Sequence, residues 1–123
     1  MEWGLPADLT AAQVARAHVR DAAATLGLDP DRVADLVLVA SELAANAVRH
    51  GAAPMSLLLD QRPDRIRVTV VNHGEGPDPR VLTAHPDAGH GRGLAMVESL
   101  ADAVGWSREG DRLEVWAEFA ISR

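Results

Sequence analysis

The chain contains no cysteine, no lysine and no tyrosine, and a single phenylalanine among its 123 residues. Without cysteine there is no disulfide framework and no thiolate zinc site. With aromatic residues at only 3%, a core has to be assembled from Ala, Val and Leu. Positive charge is also scarce: twelve arginines face eighteen acidic residues, a formal charge of −6. That balance opposes the basic surface a nucleic-acid binder needs, so no nucleic acid is expected as a partner. The opening "MEWGLPADLT" has neither a basic nor an apolar targeting region, and no apolar run reaches the length of a membrane span. A soluble cytoplasmic protein without a membrane partner is the expectation.

What is present is an apolar fraction of 47%, enough for one compact domain over residues 1–123. Thr10 and Gln13 have the spacing of a capping box and open a helix of small residues that closes near Gly27. Asp29 followed by Pro30 gives a cap and a first-turn proline for a second helix, running to about His50 and stopping at Gly51. Val33, Leu36, Val37, Ala40, Leu43, Ala44, Ala47 and Val48 form its apolar stripe, leaving Asp35, Glu42, Asn46 and Arg49 off it. "MSLLLD" and "RIRVTVVN", joined by "QRPD", read as a hairpin. Periodicity then disappears from about residue 73 to 93, a stretch long enough to be a lid. "RGLAMVESLADAV" resumes a helical pattern, and a second hairpin ends in "RLEVWAEFA", where Trp116 interrupts the polar face. The fold class expected is α+β: a two-layer α/β sandwich with a mixed, mostly antiparallel sheet and helices on one face.

Three short stretches carry chemistry. Glu42 and Asn46, four residues apart, project from one helix face and can share a ligand, although a solvated helix face would look the same. "NHGEG" places Gly74 and Gly76 directly after a strand, where the backbone can approach a flat ligand, as an ordinary hairpin exit also would. "GHGRGLAMV" sets Gly91, Arg92, Gly93 and Leu94 at a helix start, offering free N–H groups and a positive dipole end to an anion. The spacing is that of neither a Walker loop nor a dinucleotide fingerprint. His73, His85 and His90 lie along the lid but fit no compact metal pattern; solvated loop histidines are expected.

Taken in order, the three stretches resemble the GHKL-type (Bergerat fold) ATP-binding domain of gyrase, chaperones and histidine kinases. Within it they are similar to the anti-sigma-factor serine/threonine kinases of bacterial stress and sporulation switches. "ELAANA" matches the family's E-x-x-x-N-A, "NHGEG" its D-x-G-x-G, and "GRGL" its lid motif, and the likeness covers roughly residues 5 to 120. The resemblance implies ATP and Mg2+ as ligands, with Asn46 coordinating the metal and Glu42 as the base that orients an attacking hydroxyl. It implies nucleotide contacts from Asn72, Gly74, Gly76, Gly91, Arg92, Gly93 and Leu94. The implied partners are an anti-anti-sigma protein, a sigma factor or both, and a homodimer is possible. One departure stands out: Asn72 occupies the family's Asp position, where a carboxylate accepts from the adenine amine, and an amide accepts without charge assistance. A non-catalytic, nucleotide-gated binding module is therefore the alternative to a kinase. A detached histidine-kinase catalytic domain is disfavoured because the chain has no room for dimerising helices.

Overall fold

The computed structural model describes residues 1–74 and 92–121. Its elements are β1 (Glu2–Leu5), α1 (Ala11–Ala24), α2 (Pro30–His50), β2 (Ala52–Gln61), β3 (Arg65–His73), α3 (Arg92–Leu100), β4 (Ala103–Glu109) and β5 (Arg112–Ala120). Five strands form one sheet in the order β1-β2-β3-β5-β4, with every neighbouring pair antiparallel. The expected mixed sheet is thus corrected. β3 and β4 run the same way through the α3 connection, but β5 inserts between them and removes the parallel pairing.

Strand alternation assigns the two faces. Ile66, Val68, Val70 and Asn72 of β3 lie beside Phe119, Ala117, Val115 and Leu113 of β5 on the covered face. All but Asn72 join the apolar core with Leu36, Ala40, Leu43, Ala44 and Ala47 of α2. The small residues of α2 let a helix lie close to a sheet that has a single Phe to fill space. On the other face the Trp116 ring lies across Gly105 of β4, leaving no room there for a Cβ. The Arg67 guanidinium stacks on the same ring at 3.9 Å from its centroid. Trp116, the misfit of the sequence pattern, is therefore covered from two sides.

Three points differ from the sequence reading. The helical pattern read through Val104 stops at Leu100, and Ala103 and Val104 open β4 instead. β1 was not expected; it is a four-residue edge strand, too short to show alternation. It is fixed by reciprocal bonds, Leu59 N–H to Met1 O at 2.9 Å and Met1 N to Leu59 O at 3.1 Å. Trp3 on it stacks on His18 of α1, the rings 5.1 Å apart. The capping box does not form either: Thr10 has helical backbone angles and makes no side-chain cap. Its hydroxyl instead donates to the Asp8 carboxylate at 2.5 Å, and its N–H does so at 2.8 Å. These bonds, the hydroxyl's first, hold the Asp8 carboxyl below its ordinary pKa. The α2 cap is as expected, with Asp29 accepting from the Asp31 N–H at 2.8 Å.

Candidate functional site

The site is built on the second half of α2. Helical spacing puts Glu42 and Asn46 one turn apart, and this helix packs between α1, α3 and the sheet. Asn46 lies off the apolar stripe on a helical wheel, yet only 7% of its surface is exposed. The wheel does not register α3, which also packs on α2 and starts 46 residues beyond Asn46 in the chain. Burial leaves the Asn46 Oδ1 with no hydrogen-bond partner among the described residues. An unpaired buried acceptor costs about 1–3 kcal/mol. It is therefore a marked feature in a helix where an alanine would fit. Glu42, one turn earlier, is half-buried.

The second component comes from the end of β3. Asn72 is 5% exposed, and alternation turns it towards the helices. Its carboxamide lies over Gly51, where an added Cβ would overlap both Oδ1 and Cγ of Asn72 and come within 2.9 Å of the Ala47 carbonyl oxygen. Gly51 closes α2 in extended conformation, with its N–H donating to Ala47 O at 2.8 Å. The glycine is thus required by close approach, not by a left-handed turn as its helix-stop position suggests. Since Asn46 is five residues before Gly51, at about 1.5 Å of rise each, α2 brings Asn46 and Asn72 to one end of the helix.

Gly74 marks the exit from β3. Its φ of +117° excludes most side chains. Both its backbone groups are held by the β4–β5 hairpin: the N–H donates to Asp111 O at 3.0 Å, and the carbonyl accepts from Arg108 Nη1 at 3.0 Å. The sequence reading missed Arg108 and Asp111 altogether, and no local signal marks them, because the contact spans 34 residues or more. His73 is corrected from solvated loop to the last residue of β3, with its Nδ1 donating to Pro54 O at 2.8 Å. Leu94 is buried in the core at the start of α3. Gly76, Gly91, His85 and His90 lie outside the described residues, as do the side chain of Arg92 and most of the expected lid. No cluster of three potential metal ligands of the His, Cys, Asp or Glu type occurs among the described residues.

A glutamate and an asparagine one helical turn apart, a helix end against a β3 amide, and a positive-φ glycine after that strand form an ordered set in the chain. Residues 5–119 match the histidine kinase-like ATPase domain. The chain belongs to that family. Its members share an ATP-binding fold, and the sequence resemblance to GHKL-type domains is thereby upheld.

Two solved structures place this histidine kinase-like domain further. The crystal structure of the RsbU and RsbW domains of Rv1364c from Mycobacterium tuberculosis superimposes with a TM-score of 0.77 and 26% identity, over 100% of this chain and 32% of that one. The chain thus spans about a third of the Rv1364c chain's length. The SiaB–SiaC complex from Pseudomonas aeruginosa matches in fold, with a TM-score of 0.66 at 15% identity over 98% of this chain and 89% of that one. No helix among the described residues is long and apolar enough to cross a membrane.

Proposed function

We propose that the chain is an ATP-dependent serine/threonine protein kinase of the anti-sigma-factor type, acting on an anti-anti-sigma protein and able to engage a sigma factor. The observation that carries this reading is the buried Asn46 Oδ1, without a hydrogen-bond partner among the described residues, one turn beyond Glu42. A neutral amide oxygen suits magnesium, which takes oxygen donors in near-octahedral geometry alongside water and phosphate. Bound there, the metal would supply charge neutralisation for the phosphates, and Asn46 is the residue that would hold it. Likeness to the RsbW-containing region of Rv1364c supports the kinase subclass.

In this reading Asn72 contacts the base and Gly74 begins the phosphate-side loop. Gly76, Gly91, Arg92 and Gly93 continue the nucleotide contacts, with Leu94 anchoring the start of α3. A serine or threonine hydroxyl of the partner attacks the γ-phosphorus, and the bond to the β,γ-bridging oxygen breaks to release ADP. Its proton passes to Glu42. A second reading, a non-catalytic module whose partner binding is gated by nucleotide, is favoured by the uncharged Asn72 alone.

The deciding experiment incubates the protein with labelled ATP, magnesium and small candidate anti-anti-sigma domains. Label transferred to the partner by the parent, and reduced about a hundredfold or more by Glu42→Gln with nucleotide affinity kept within a few fold, is the expected result. Nucleotide-dependent association without transfer would install the binding module instead. Neither nucleotide binding nor transfer would remove both readings.

A further inference from the structure

Away from the nucleotide end, the outer surfaces of α1 and α2 enclose an open groove of about 580 Å³. Its floor is apolar: Leu28, Val33 and Val37 line it, with Leu38 at its lip. Leu38 is 39% exposed, and the other large apolar side chains so exposed among the described residues, Met1 and Leu9, lie near the start of the chain. A leucine held open beside an apolar channel on a helix surface invites a partner.

The α1 side of the groove is basic. Arg16 and Arg20, one turn apart on α1, are the charged residues that line it. Asp31 and Asp35 of α2, seven and three residues before Leu38, line an adjoining hollow that shares Leu28 with the groove, and Asp35 pairs with Arg32 at 3.8 Å. In a chain carrying a net −6, a groove whose two charged lining residues are both arginines is suited to an acidic partner. On α2, Leu38 precedes Glu42 by one helical turn.

We infer that the α1–α2 groove is a docking site for an amphipathic helix of a partner protein, one with an apolar stripe against Leu28, Val33, Val37 and Leu38 and acidic residues against Arg16 and Arg20. Groove and helix match as a helix-in-groove interface does: apolar anchors supply contact, and the rim charges set orientation. Partner docking here extends the proposed function, because it delivers a bound protein to the flank of α2 that carries Glu42. Its own test does not depend on phosphoryl transfer.

The test titrates the isotope-labelled full chain with a designed amphipathic peptide of about 14 residues, four helical turns. One version carries Glu along one flank of its leucine stripe, and a second carries Lys at the same places. The acidic peptide binds saturably, with amide shifts centred on the groove. Leu38→Asp weakens it about tenfold or more. Arg16→Glu combined with Arg20→Glu does likewise and reverses the preference towards the Lys peptide. All these positions are at the surface, so circular dichroism of each variant should match the parent. Asn46→Ala leaves peptide binding unchanged, which separates this site from the nucleotide reading. Equal binding of both peptides to the parent, shifts centred elsewhere, or no saturable binding would each overturn the proposal. So would self-association of the chain that Leu38→Asp abolishes, since the groove's occupant would then be a second copy.

Discussion

Gly51 and Asn72 occupy each other's space: the carboxamide at the end of β3 lies where a Cβ of residue 51 would stand. The penultimate residue of the hairpin's second strand is thereby locked to the end of the helix that carries Glu42 and Asn46. Gly51→Ala must push Asn72 aside or lift the end of α2, since the backbone of Ala47 closes the third side. Overpacking of this kind costs about 1–3 kcal/mol. The expected outcome is a lower melting temperature together with a clear loss of nucleotide affinity by calorimetry. Stability lost with affinity intact would show that the contact is structural only.

Asn46→Ala separates stability from binding in the opposite sense. Removing a buried acceptor that has no partner among the described residues takes away a desolvation cost, so the variant should melt no lower than the parent, apart from a small packing loss. Magnesium-dependent ATP binding should nevertheless disappear. Equal ATP affinity in variant and parent, with magnesium present, would take Asn46 out of the site.

Asn72→Asp restores the carboxylate that the family pattern carries. In the nucleotide-free protein the new charge is 95% covered, going by Asn72's 5% exposure, and lies at the carbonyl end of α2. Desolvation and the helix dipole both oppose it, so the free variant should lose about 1–3 kcal/mol of stability. ATP should bind about tenfold tighter through a charge-assisted bond to the adenine amine, and should recover the lost melting temperature. GTP, which presents a carbonyl at that place, should gain nothing. Parallel titrations of both nucleotides decide it: unchanged affinity and selectivity would mean that residue 72 does not touch the base.

Gly105→Ala serves as the distant counterpart. Its methyl group would enter the Trp116 ring, which Arg67 clamps from another side. A loss of about 1–3 kcal/mol by denaturant titration is expected, with ATP affinity unaltered. A matching loss of affinity would show that the open face of the sheet is coupled to the nucleotide end.

Much of this protein is local enough to be read from the chain. The cap of Asp29 and Pro30, the apolar stripe of α2, the two hairpins and the four-residue spacing of Glu42 and Asn46 all follow from periodicity and turn chemistry acting within a few residues. Those signals also sufficed to indicate an α+β fold with an ATP-binding motif set. The all-antiparallel sheet was not legible, because it depends on β5 inserting between β3 and β4. Nor was β1, whose four residues pair with Met55, Ser56, Leu57 and Leu58 of β2, or the anchoring of Gly74 by Arg108 and Asp111. Burial of Asn46 was not legible either, because the helix pattern leaves that flank polar and only packing of other elements on α2 covers it. Gly51 illustrates the division most directly. Sequence alone makes it a helix stop, a decision taken within one turn, whereas only the packed fold brings the amide of Asn72, 21 residues away, into the space its missing side chain leaves.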